Sequence, residues 1–114
     1  VHVVQPITKV NGKWVVYGLG NTIADHTTSN LRAHESMMTR FEFTQGGDGR
    51  WSISEAAFMP LLVTSYAPFR LINVNEAIAN GRAPGATMER LQLAKRKITS
   101  TVYALGGTTG LVQL

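Results

Sequence analysis

Cysteine is absent from this chain, which excludes disulfide bridges and thiol chemistry. Charge is scarce as well. Only 16% of residues are charged, and Asp and Glu number 7 against 11 Lys and Arg, giving a net charge of +4 and a pI of about 9.9. That balance permits attraction to phosphates, anionic polymers or acidic surfaces, and it is equally what a solvated basic face gives. No apolar run approaches the roughly 20 residues that span a bilayer, and no signal-peptide pattern is present. Neither G-x-G-x-x-G nor G-x-x-x-x-G-K occurs, so the common nucleotide fingerprints are missing. Internal repeats and low-complexity stretches are missing too.

What remains is ordinary material for a core: 44% of the 114 residues are hydrophobic. A single domain of this size buries roughly two-thirds of its unfolded surface. The low charge content hints at apolar surface facing a partner or another part of a larger protein. The chain opens directly on VHVVQP, already strand-like and without Met. We therefore expect residues 1–114 to be a single-domain, C-terminal piece of a longer protein, with any targeting information upstream.

Residues 2–10 are rich in Val and Ile, which favour strand, and Pro6 places that strand at an edge or at a bulge. Asn11-Gly12 between two apolar runs is a strong hairpin signal. Trp14 to Tyr17 is a continuous apolar run, expected to be a strand buried on both faces. Gly18-Leu19-Gly20-Asn21 breaks it. Two glycines one residue apart either make a plain turn or let backbone approach something closely. Residues 22–36 are polar and poorly periodic and read as a loop. That loop holds Asp25, His26, His34 and Glu35, a set suited to metal or acid–base chemistry and equally common in exposed loops; no recognised ligand spacing appears.

Met37 to Gln45 alternates, with Met37, Thr39, Phe41 and Phe43 on one face. Gly46-Gly47-Asp48-Gly49 turns the chain. Arg50 to Pro60 alternates again, placing Trp51, Ile53, Ala57 and Met59 on the expected core face. The aromatic residues of this second hairpin are assigned to the core. Residues 61–72 continue extended. Asn73 with Glu76 three residues on forms a capping box opening a short helix, which Gly81 stops. Thr87 starts the longest helix, to about Leu105, with Leu91, Ala94, Ile98, Val102 and Leu105 as its apolar stripe. Arg90, Lys95, Arg96 and Lys97 surround that stripe without forming one basic row, and aromatic interleaving is missing there, so nucleic acid is not expected as a partner. Gly110 to Leu114 is a short final strand or a frayed tail. The fold class is therefore α+β: a mainly antiparallel sheet of two hairpins, a short helix and one long C-terminal amphipathic helix.

The stretch His2-Val3-Val4-Gln5-Pro6, the hairpin, and Trp14-Val15-Val16-Tyr17-Gly18-Leu19-Gly20-Asn21 resembles the C-terminal signature of the CapA-type poly-gamma-glutamate capsule biosynthesis proteins. These proteins are similar to calcineurin-like metallophosphoesterases, with a four-layer αββα sandwich and a two-metal site. In that family a G-H-x-H motif runs into HVVQP, a hairpin and then Y-[GS]-L-G-N-F. His2 corresponds to the second His of G-H-x-H, which implies a metal ligand. Gly20-Asn21 matches GN, with Thr22 in place of the usual Phe, and Asp25 falls near a frequent family Asp. Residues MMTRFEFTQGGDGRW resemble the ARFTFT…GRW segment, and Ala67-Pro68-Phe69-Arg70 resembles PYR. The likeness covers residues 2–70 well and the C-terminal helix only loosely.

The resemblance implies the trailing edge of an active site: His2 as metal ligand, and Gly20, Asn21 and Asp25 on the substrate side. The other ligands would come from early loops upstream, and one His cannot hold a catalytic metal. A divalent metal is thus expected in the full-length parent and none in this piece, which would be inactive alone. The expected partner is the N-terminal half of its own domain, the implied location the cell envelope or extracellular side. Three readings follow: part of a capsule-polymer biosynthesis protein; a non-catalytic basic module holding an anionic polymer; and, on charge alone, a nucleic-acid binder. Strand edges left without neighbours would also favour self-association.

Overall fold

Asn11-Gly12 turns the chain as that dipeptide predicts, with φ of 51° and 74° at its two residues, the left-handed pair a two-residue hairpin requires. The computed structural model describes residues 2–25 and 29–114. Around this turn β1 (Ile7–Val10) and β2 (Lys13–Val16) pair antiparallel, Ile7 opposite Val16 and Val10 opposite Lys13. β1 is shorter than the run 2–10 suggests, because Pro6 has no N–H to give the ladder. Pairing resumes beyond it: Gln5 N–H donates to Gly18 O at 3.0 Å, and Val4 faces Leu19 in an isolated bridge. The WVVY run is not buried on both faces. β2 pairs with β1 alone, so Trp14, Val15 and Val16 are half-buried and Tyr17 is exposed.

The main sheet is organised on β4. β3 (Glu35–Gln45) and β4 (Trp51–Val63) form a long antiparallel hairpin, from Glu35 opposite Leu62 to Gln45 opposite Trp51. A bulge between the Glu42–Glu55 and Phe43–Ile53 pairs interrupts the register. Along its other edge β4 is paired twice. β5 (Leu71–Asn73) runs antiparallel beside residues 61–63, and β6 (Leu111–Gln113) runs parallel beside residues 56–58. The polar 22–36 stretch is not all loop: a 3₁₀ turn occupies Leu31–His34 and Glu35 already begins β3.

Both helices start where their caps predict. Asn73 Oδ1 accepts from Glu76 N–H at 3.2 Å and opens α1 (Val74–Asn80); Thr87 Oγ1 accepts from Arg90 N–H at 3.1 Å and opens α2 (Met88–Val102). These bonds satisfy backbone donors that a helix start leaves without partners. The stripe Leu91, Ala94, Ile98 and Val102 is buried against Met37, Ala56, Phe58 and Leu62, with Val74 and Ala77 of α1 and Val4 and Ile7 of the first hairpin completing one core. Tyr103 meets Phe58 edge-on, centroids 5.6 Å apart. Leu105 lies past the helix end and is exposed.

The distal half of the β3–β4 hairpin corrects the sequence reading. Trp51 is 65% and Phe43 63% exposed, and Ile53 is exposed too. Phe43, Ile53 and Trp51 do share a face, but the bulge reverses the alternation along β4. Ala56 and Phe58, opposite Phe41 and Thr39, continue that face in the core, and the expected Ala57 and Met59 lie on the other side, opposite Arg40 and Met38. From Glu55 back to Trp51, however, β4 has only β3 paired beside it. The architecture is α+β, mainly antiparallel, with the long amphipathic helix C-terminal.

Candidate functional site

Three backbone stretches far apart in sequence lie side by side at one edge of β3. Val4 bridges Leu19, Gly20 bridges Ser36, and Met37 N–H donates to Leu19 O at 2.9 Å. Gly20 makes this possible. Its φ is +77°, and a Cβ there would stand 2.6 Å from Glu35 O, 3.2 Å from Ser36 Cα and 3.3 Å from Val4 N. Gly20 therefore serves close backbone approach of its segment to two others, which a plain turn does not require.

This packing sets His2 beside Asn21. His2 Nδ1 lies 3.0 Å from Asn21 Oδ1, and Asn21 Nδ2 donates to Ala33 O at 3.0 Å. The second bond fixes the first. Because the amide nitrogen faces the Ala33 carbonyl, the amide oxygen faces the imidazole, and an oxygen can only accept. A neutral His2 that donates to this oxygen carries its proton on Nδ1. Metal-binding histidines are oriented in this way, one nitrogen tied to an oxygen so that the other can act as ligand.

The Leu31–His34 turn behind Asn21 is held from both sides. Asn30 caps it by accepting from Arg32 N–H at 3.1 Å, and Arg90 Nη2 donates to Leu31 O at 3.0 Å. Arg90 Nη1 reaches Glu35 Oε1 at 2.9 Å, and Glu35 is 2% exposed. This buried ion pair couples the first turn of α2 to the start of β3. Ser36 Oγ and His34 Nδ1 are buried without a hydrogen-bond partner among the described residues.

Of the sequence-predicted site residues, His2, Gly20 and Asn21 are brought together. Asp25 is exposed, and no hydrogen bond or ion pair among the described residues holds it. His34 and Glu35 are buried, Glu35 being committed to Arg90. His26 lies outside the described residues. No group of three His, Cys, Asp or Glu side chains converges among the described residues, so His2 and Asn21 do not by themselves compose a metal centre. Sequence reasoning missed Ala33 O and Arg90. Both act over long separations, 12 and 55 residues, which no local pattern reports. No family model, curated protein or solved structure matches the chain.

Proposed function

We propose that this chain is the C-terminal portion of a capsule-biosynthesis protein, acting on a poly-gamma-glutamate-like polymer and related to metal-dependent phosphoesterases, and that it does not catalyse alone. The observation that carries the reading is the His2–Asn21 pair. The two residues are the ends of the HVVQP…YGLGN signature, and they meet at 3.0 Å through His2 Nδ1 and Asn21 Oδ1. His2 would supply one nitrogen to a divalent metal whose remaining ligands come from the N-terminal half of the same domain. The described residues alone offer too few ligands for the three protein groups that a catalytic site needs. The test is metal binding and phosphoester or amide hydrolysis by the full-length parent with Mn²⁺. His2→Ala should abolish activity and weaken metal binding; undiminished metal binding and hydrolysis in that variant would refute the reading.

A second reading, a basic module that holds an anionic polymer without chemistry, is favoured by one feature. Arg70 and Arg82 line one open cavity of about 570 Å³ with Asn73, Asn80 and the single carboxylate Glu76, and neither guanidinium is within ion-pair distance of a carboxylate among the described residues. Binding of poly-γ-glutamate to the isolated chain should then fall steeply with added salt and be lost in Arg70→Ala/Arg82→Ala. Salt-insensitive or absent binding would dismiss it.

A further inference from the structure

The distal hairpin and the first hairpin enclose a groove of about 580 Å³ lined by Lys9, Lys13, Trp14, Phe43, Trp51 and Ile53. Two of its rings, Trp51 and Phe43, are about two-thirds exposed where β4 pairs with β3 alone. Exposed apolar surface of this kind, grouped and edged by polar residues, marks an interaction site. The third ring, Trp14, is fixed in the groove wall: it packs against Phe41 with centroids 6.4 Å apart, and Lys9 Nζ stands 4.6 Å from its centre while donating to Thr109 O at 3.0 Å. Phe43 and Ile53 are opposed across the ribbon with Trp51 two positions along the same strand.

We propose that this groove binds an acidic polysaccharide. Only cations line it. Lys9 and Lys13 face it, and no carboxylate does; Glu55, which shares an adjoining cavity with Lys9, Trp14 and Ile53, is engaged by Arg40 in an ion pair. A second copy of the chain would set lysines against lysines, so the charge favours an anionic partner over self-association. Flat, exposed rings favour a partner with flat faces, and the C–H faces of pyranose rings stack on Trp and Phe. The sparseness of the charge separates this partner from single-stranded nucleic acid, which carries a phosphate for every stacked base. Two lysines beside two ring platforms suit a polymer charged at every second unit or so. The inference is independent of the His2–Asn21 reading, and of the Arg70–Arg82 cavity on which a ringless polymer would act.

The test is tryptophan fluorescence of the 114-residue chain titrated with polygalacturonate oligomers. Dextran, poly-γ-glutamate and an oligo-dT strand are the comparisons. The expected result is saturable binding of polygalacturonate with a blue shift and reduced acrylamide quenching, and no binding of dextran. Trp51→Ala and Phe43→Ala should each weaken binding about tenfold, and Lys13→Glu should weaken it and flatten its salt dependence. Both rings are exposed, so these variants should keep the parent's melting temperature, which separates lost contact from lost fold. Polygalacturonate binding that is absent, or that is unchanged by Trp51→Ala, overturns the proposal. So does tighter binding of oligo-dT or of poly-γ-glutamate, or a concentration-dependent dimer that Trp51→Ala disperses.

Discussion

Replacing Gly20 by alanine should cost about 3 kcal/mol, and the sum can be built from its parts. A left-handed backbone, φ +77° here, costs an alanine about 1–2 kcal/mol. The new Cβ would also stand 2.6 Å from Glu35 O, with Ser36 Cα and Val4 N next nearest. All three are backbone atoms, so no rotamer change relieves the clash and the strands must separate. Separation endangers the 2.9 Å bond from Met37 N–H to Leu19 O, worth about 1 kcal/mol. Gly12→Ala is the matched control. Its φ is +74° and nothing lies within 4 Å of the added methyl, so it should show only the backbone part, about 1 kcal/mol. Urea unfolding of both variants reads the difference directly, and in a domain of this size about 3 kcal/mol corresponds to roughly 10 °C in Tm. Equal losses in the two variants would refute the close-approach account of Gly20.

Arg90→Met should destabilise the fold by about 3 kcal/mol or more, because it leaves the buried Glu35 carboxylate unpaired. Adding Glu35→Gln to that variant should recover most of the loss by chemical denaturation, whereas additive losses would mean the pair is not coupled. Thr87→Ala removes the acceptor for Arg90 N–H and should cost about 1 kcal/mol; circular dichroism melting would show it, and an unchanged melt would deny the cap.

The sequence announced several features set by chemistry over a few residues, though not the Asn30-capped turn or the bulge opposite Glu42 and Phe43. Asn11-Gly12 named its hairpin, Asn73 and Thr87 named their helix starts, and the stripe Leu91, Ala94, Ile98 and Val102 is buried as its spacing requires. Trp51 and Phe43 show where such reading stops. Alternation reports which residues share a face, but what covers that face depends on where β5, β6 and α2 end along β4. Trp14 to Tyr17 fails for the same reason, since hydrophobicity cannot say whether a strand has one neighbour or two. At the candidate site the signature residues His2, Gly20 and Asn21 were legible, and their meeting was not, because it depends on Gly20 lying against Ser36. The Glu35–Arg90 pair spans 55 residues and left no local trace.

The central claim, that Asn21 holds a neutral His2 with its proton on Nδ1, is tested most directly by long-range ¹H–¹⁵N NMR of the histidine rings at a pH where His2 is neutral. The account predicts the Nδ1–H tautomer for His2 in the parent chain and a shift toward Nε2–H in Asn21→Ala, where the amide oxygen of the 3.0 Å contact is gone. An Nε2–H ring in the parent chain, or a tautomer indifferent to Asn21→Ala, would contradict it.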